Sequence, residues 1–294
     1  MVIIFKKNYQ NCMIFFTFFL FWFSIQFGEL VEDSVAFALI VSLGILHGAN
    51  DLLILSKGKN KKAVYLKHLL IYLSIILLCV GTYLFSPFAA ILAFILLSSY
   101  HFGEEHMGEK IKEHQILNAI YYMAYGLFLF SMLFYASLSD VNQIMKELTG
   151  TTLTRFQILL ALQSSGMFLF VISLFLVLKK KNSLRLFLKE LFYLGLLFIV
   201  FKTSSLILGF AIYFIFWHSI PSIMNQVEFI YGSFTKQGVV RYIKKALLYW
   251  SISVVALVIL YQMIPEINLF STIIFVVLFA VTAPHTWVMY KMKA

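Results

Sequence analysis

Ten apolar runs, each close to the length of a bilayer-spanning helix, follow one another along this chain. A crossing takes roughly 20 apolar residues at about 1.5 Å of rise each. The runs cover approximately residues 11–30, 34–55, 68–86, 87–104, 116–137, 155–178, 188–203, 204–220, 247–264 and 268–290. The seventh and eighth are separated only by Lys202-Thr203-Ser204-Ser205. Backbone groups in lipid must pair within the segment, so the expected fold is all-α, a polytopic membrane helix bundle of about ten transmembrane helices. Of the 294 residues, 62% are hydrophobic and 12% charged, a balance that a soluble globule of this size could not cover with its polar groups.

The net charge of +10 does not point to nucleic acid, because the lysines and arginines sit in short runs between apolar segments. Lys6 and Lys7 precede the first run. Lys57, Lys59, Lys61, Lys62 and Lys67 follow the second, Lys110 and Lys112 the fourth, Lys179, Lys180, Lys181 and Arg185 the sixth. Lys236, Arg241, Lys244 and Lys245 follow the eighth, and Lys291 and Lys293 close the chain. On a ten-helix count every cluster falls on one side, and the opposite connections (31–33, Ser86-Pro87, 138–154 and 265–267) carry few. Positive charge marks the cytoplasmic side, so both termini are expected there, in a multi-pass protein of the cell (inner) membrane. The first run is long, rich in Phe and followed by no Ala-x-Ala, so residues 1–30 read as a retained membrane helix rather than a signal peptide. Cys12 and Cys79 form no disulfide framework. No linker or repeat divides the chain, and residues 1–294 read as one integral membrane domain.

Four of the seven histidines lie inside apolar runs: His47, His101, His218 and His285. Their runs are the second, fourth, eighth and tenth, all pointing the same way through the membrane. At helical rise His47 is about 15 Å before Lys57, His285 about 9 Å before Lys291, and His101 and His218 each about 4.5 Å before Glu104 and Pro221. Four imidazoles from four helices thus fall in one leaflet. A lone intramembrane histidine is more often a helix–helix hydrogen bonder than a ligand. Four at one depth weigh toward a metal, since imidazole is the commonest side-chain ligand and bundle cores assemble such sites from facing helices. Imidazole suits Fe, Zn, Cu and Ni alike. Four histidines on a six-coordinate metal leave two open positions, which suits oxygen activation at Fe(II). On zinc they close the shell. Asp51, four residues after His47, and Glu104, three after His101, are candidates to orient the ligands from outside the metal's own shell. His68, His106 and His114 fall in or beside loops and read as solvated or interfacial, with His106 nearest the others.

The segment His47-Gly48-Ala49-Asn50-Asp51 resembles the His-Gly-Ala-x-Asp signature of the Brp/Blh family of membrane β-carotene 15,15′-dioxygenases. Tyr100-His101-Phe102-Gly103-Glu104 is similar to the family's His-Phe-Gly motif with its acidic followers, Trp217-His218-Ser219 to its Trp-His-Ser motif, and Pro284-His285 to its C-terminal pattern. The order and spacing match from about residue 34 onward. The resemblance implies iron-dependent cleavage of the central double bond of β-carotene by O₂, giving two molecules of retinal, with a functional link to a retinal-binding rhodopsin. It supports His47, His101 and His218 as ligands. In the family a further histidine commonly follows the Trp-His-Ser histidine by four residues, and here that position is Ser222. Either His285 completes the set, or water does, or the activity is lost or changed. A polyene about as long as a bilayer core is thick suits an enzyme buried in lipid, with Tyr100, Phe102, Tyr213, Phe214, Phe216, Trp217 and Trp287 available as aromatic walls. Three other readings compete. A transporter should show paired Gly/Pro breaks at mid-membrane in two matching halves, and none is apparent. A lipid desaturase or hydroxylase should show clustered His-x-x-x-His motifs, which are absent. A catalytically inactive carotenoid- or retinal-binding homologue would lack the metal.

Overall fold

The computed structural model describes residues 2–58, 62–179, 183–263 and 267–293, and these are helical almost throughout. Lys59, Lys61, Lys180, Lys181 and residues 265–266 lie outside the described residues. Each apolar run of the sequence falls in a helical run. The first five are α1 (Val2–Gln26), α2 (Glu29–Ser56), α3 (Lys62–Phe85), α4 (Pro87–Met107) and α5 (Gln115–Ala136). A short helix, α6 (Leu138–Thr149), intervenes before α7 (Arg155–Lys179), α8 (Ser183–Thr203), α9 (Leu206–Tyr231), α10 (Lys236–Met263) and α11 (Ile267–Lys293). Among the described residues, α2, α3, α4, α5, α7, α9 and α10 contain the seven stretches long and apolar enough to cross a membrane. Their outward side chains are apolar, Phe85 94% exposed and Leu30 82%, a large greasy surface that suits lipid better than water.

The helix ends that carry positive charge are tied to one another. Lys293 Nζ lies 3.0 Å from Glu105 at the end of α4. Lys179 reaches Glu113 in the α4–α5 connection at 2.5 Å. Lys6 pairs with Glu228 near the end of α9 at 2.5 Å, and Lys57 donates to the carbonyl of Phe229. The starts of α1 and the ends of α2, α4, α7, α9 and α11 therefore share one end of the bundle.

The tightest crossing is that of α4 over α5. A Cβ on Gly103 would stand 1.9 Å from the Tyr122 carbonyl oxygen, and one on Gly126 would stand 1.9 Å from the Ser99 carbonyl oxygen. Helices in lipid associate by close van der Waals contact, and only glycine lets two backbones approach this far. The crossing fixes the depth of His101, two residues before Gly103.

Three features depart from the sequence reading. Residues 138–149 are helical where a loop was expected. The segment is too short and too polar for a span, but Val141, Met145 and Leu148 recur at helical spacing and bury one face against Ile91, and Gly150 at φ +71° ends it. The eighth run does not stop at Pro221. The chain passes from π-helix to α-helix at Ile220, so Pro221 occupies the first turn of the new α segment, where a missing N–H costs little. Finally, two stretches are π-helical, Ile40–Gly44 in α2 and Tyr213–Ser219 in α9. The wider turn is rare and tends to mark functional sites. Here each lies beside a histidine.

Candidate metal centre

His47 from α2, His101 from α4, His218 from α9 and His285 from α11 meet in the bundle interior, between 1% and 7% exposed. Their rings form a closed square. The centroids of His47 and His285 are 4.6 Å apart, His285 and His101 5.2 Å, His101 and His218 4.7 Å, and His218 and His47 5.4 Å. Each ring stands nearly perpendicular to the next, at 78° to 85°. The convergence at one depth that the sequence implied is present in three dimensions.

Three rings of this square bring nitrogens together at a spacing suited to a metal, and His218 is not among them. One ring nitrogen from each of His47, His101 and His285 lies within 4.8 Å of the other two. Two nitrogens bonded to one ion at about 2.1 Å each stand no further apart than about 4.2 Å, so the gap to close is about half an ångström. His47 Nδ1 donates to the Gly44 carbonyl at 2.5 Å. His285 Nδ1 donates to Asp51 Oδ1 at 2.9 Å. Both partners only accept, so in each ring the proton sits on Nδ1 and Nε2 keeps its lone pair. His285 Nε2 and both nitrogens of His101 and His218 are buried without a hydrogen-bond partner among the described residues. An unpaired buried polar atom costs about 1–3 kcal/mol, and one nitrogen from each of these three rings could find its partner in a shared ion.

The local backbone explains why these rings point inward. The π segment of α2 ends at Gly44, whose carbonyl receives His47. The backbone at His47 is held from α9 and α10. Gln226 Nε2 donates to the His47 carbonyl at 3.0 Å, and Tyr242 bridges the Gln226 side-chain oxygen at 2.7 Å and the same carbonyl at 3.3 Å. Asn50 in turn donates to the Tyr242 carbonyl at 3.1 Å. Asp51 does not orient His47, its neighbour along α2. Its carboxylate crosses to His285 and accepts from Tyr72 at 3.1 Å with its second oxygen. Glu104 departs from expectation too. It lies at the end of α4, where Lys293 at 3.3 Å and Tyr100 at 3.4 Å are its partners, and it touches no histidine of the square. Ser222, fully buried, accepts from Gln226 at 3.1 Å and lies 3.9 Å from the sulfur of Met289. The hydroxyl at this position serves the polar network beneath His47.

The family model described as beta-carotene 15,15′-dioxygenase matches residues 38–293, a stretch that includes all four histidines. The chain belongs to the β-carotene 15,15′-dioxygenase family. No curated protein and no solved structure matches it. Within this dioxygenase-family chain the match starts inside α2 and leaves α1 out, although α1 packs directly against the histidine-bearing π segment of α9.

Of the aromatic residues expected to wall the site in this family member, two reach it. Phe102 lies 4.5 Å from the His218 ring, and Phe214 lies 5.4 Å from His47 and stacks on His218 at 5.8 Å. Tyr213 packs behind Phe102 at 5.5 Å. Phe216 faces Phe16, Trp217 faces Tyr193 and His106, Trp287 faces His68, and Tyr100 faces Tyr122. His106 is not solvated. Its side chain is 7% exposed, 2.7 Å from Glu190, and stacked on Tyr125. Lys110 completes that group at 2.8 Å from Glu190. Burial lowers the Lys110 ammonium from its usual range and the Glu190 carboxylate draws it back up. Sequence reasoning missed Tyr72, Gln226 and Tyr242. The only hint was the Ser222–Gln226 pair, two polar residues one turn apart in an apolar helix.

Proposed function

We propose that this protein cleaves β-carotene at its central double bond with O₂, using iron held by His47, His101, His218 and His285. The observation that carries the reading is the square of four buried rings, three of which (His101, His218 and His285) have nitrogens without a hydrogen-bond partner among the described residues, in a chain that matches the β-carotene 15,15′-dioxygenase family along most of its length. The nitrogen-only donor set suits Fe(II) and leaves two positions of a six-coordinate shell open, whereas four ligands would close the shell of zinc. When bound, the iron supplies the activation of O₂. The chain does the rest. Asp51 and Gly44 fix the tautomers of His285 and His47. Phe102 and Phe214 present apolar ring faces beside His218 for a polyene to lie on. Burial keeps water away from the cleavage products. The reaction balances without a co-reductant: the central carbon–carbon double bond breaks, each of its carbons takes one oxygen atom, and two retinal molecules result. A retinal-binding rhodopsin is a natural consumer of that aldehyde. His285, not Ser222, supplies the fourth ligand.

The membrane arrangement belongs to the same proposal. Ten spans with both termini in the cytoplasm of a multi-pass inner-membrane protein put every basic helix end described above on the cytoplasmic side. The family match does not favour transport.

Expression in a carotene-producing host tests the function. Loss of the carotene colour with equivalent retinal appearing is expected. Purified protein given iron, O₂ and β-carotene should yield retinal, and His47→Ala and His101→Ala should abolish it. Retinal yields in those variants equal to the parent's would end the ligand assignment.

A further inference from the structure

The helix that the family match leaves out grips the segment that carries His218. α1 meets the bundle along one stripe, on which Tyr9, Met13, Thr17, Leu20 and Ser24 are buried, while Phe15 is 64% exposed on the opposite side. Two polar groups of that stripe end on the two residues before His218. The Tyr9 hydroxyl donates to the Phe216 carbonyl. Thr17 Oγ1 accepts from the Trp217 indole N–H at 3.1 Å. The Thr17 hydroxyl spends its own proton on the Met13 carbonyl at 2.8 Å, which leaves its lone pairs for Trp217. Phe16 adds a stacked contact on Phe216, with centroids 5.2 Å apart and planes at 12°.

These contacts fall on a π-helical stretch, Tyr213–Ser219. A π turn is intrinsically less favourable than an α turn and persists where surrounding structure holds it. Collapse to α-helix within 213–219 would change the helical phase at His218 and turn its ring away from the square. Trp217 is also edge-on to Tyr193 at 4.9 Å, so α1 and α8 grip the indole from two sides. Among the described residues, the side-chain hydrogen bonds to the Phe216 carbonyl and the Trp217 indole come from α1.

We propose that α1 is a working part of the metal centre, in which Tyr9 and Thr17 are positioning residues that hold Phe216 and Trp217 so that His218 faces the other three histidines. The inference rests on the metal reading above and adds to it a requirement for a helix outside the family match.

The full-length protein in detergent provides the test, with Co(II) as the metal probe. Tyr9→Phe removes one hydroxyl and Thr17→Val removes one acceptor. Thr17→Ser keeps the acceptor, and Phe15→Leu changes the lipid-facing side of α1. Two readouts are taken: hydrogen exchange of residues 213–219, and Co(II) affinity with its visible spectrum. Y9F and T17V should raise exchange in that segment, weaken Co(II) binding about tenfold, as loss of outer partners does at metal sites, and shift the spectrum. T17S and F15L should behave as the parent. Parent-like exchange and affinity in both Y9F and T17V would overturn the proposal. A parent protein that takes up no Co(II) overturns the metal reading instead, and exchange then decides the brace alone: raised in both variants upholds it, unchanged overturns it.

Discussion

Asp51 and His285 meet across 234 positions of sequence, carboxylate Oδ1 to ring Nδ1 at 2.9 Å, and both are almost fully buried. Asp51 sits one turn beyond His47 on α2, yet its partner comes from the last helix of the chain. The bond occupies His285 Nδ1 and leaves Nε2 as the ring nitrogen free to face the space shared with His47 and His101. Such carboxylate–histidine pairs raise the basicity of the ligand and set its orientation. Asp51→Ala should therefore lower metal affinity by about 10- to 100-fold while the four histidines remain. Tyr72→Phe, which removes only the outer hydrogen bond to Asp51, should produce a smaller loss in the same direction. Metal titration of purified protein checks both.

Tyr242 gives a second prediction. Its hydroxyl joins the Gln226 side chain to the carbonyl of His47, and it is fully buried. Tyr242→Phe leaves the ring in place, removes the donor to the Gln226 side-chain oxygen and leaves the His47 carbonyl with Gln226 Nε2 alone. The cost should be about 1–3 kcal/mol, read as a lowered unfolding midpoint in detergent. Because the slackened carbonyl belongs to His47, metal affinity should fall as well. Ser222→Ala removes the bond accepted from Gln226 and the weak one donated to the Met289 sulfur, and should cost less, about 1 kcal/mol.

The histidine square was legible in the sequence because two one-dimensional signals carried it. Apolar run length located the helices, and the side on which basic residues fell set their direction, so the depth of each histidine followed from counting residues. Asp51 was recognised as a partner but assigned to His47, since spacing along one helix says nothing of the helix across the way. Glu104 was misjudged for a related reason. It follows His101 by three residues, but Lys293 at the far end of the chain is a stronger attractor than a neutral ring. The π segments left no trace in residue pattern, because a wide turn keeps the composition of the helix around it. In α9 the wide turn coincides with tertiary contacts that residue pattern does not reveal, those of Phe16 and Tyr9 on Phe216.

The α4–α5 crossing predicts a steric result. At Gly103 and Gly126 even a methyl group would overlap a carbonyl of the facing helix, at 1.9 Å in both places. No side-chain rotation relieves a clash with backbone, so the helices must separate. Gly103→Ala and Gly126→Ala should each cost about 3 kcal/mol or more, at or above the upper end of ordinary overpacking. Gly48→Ala is the control within the first motif, since its Cβ would meet only His285 Nδ1 at an ordinary 3.8 Å. Unfolding midpoints of the three variants should rank accordingly. Moving α4 also displaces His101, so the first two should lose metal along with stability.

The buried group of Glu190, His106 and Lys110 predicts a pH dependence. Glu190 is 3% exposed and lies 2.7 Å from His106 Nε2 and 2.8 Å from Lys110 Nζ. Removing the acid from a buried pair strands its partner's charge, so Glu190→Gln should destabilise the protein by about 3 kcal/mol at neutral pH. The sign of the pH effect follows from Lys110. Burial lowers its folded pKa, and the Glu190 carboxylate is the chief group drawing it back up. In the variant that counterweight is gone, and the folded value falls further below the unfolded value of about 10.4. Between those two values the unfolded chain binds more protons than the folded one, so stability rises with pH across that window. The variant's deficit should therefore be largest below the folded pKa and shrink as pH climbs toward 10. Thermal unfolding of parent and variant in parallel pH series measures it, and a deficit that stayed constant or grew with pH would show that Lys110 is not the charge left stranded.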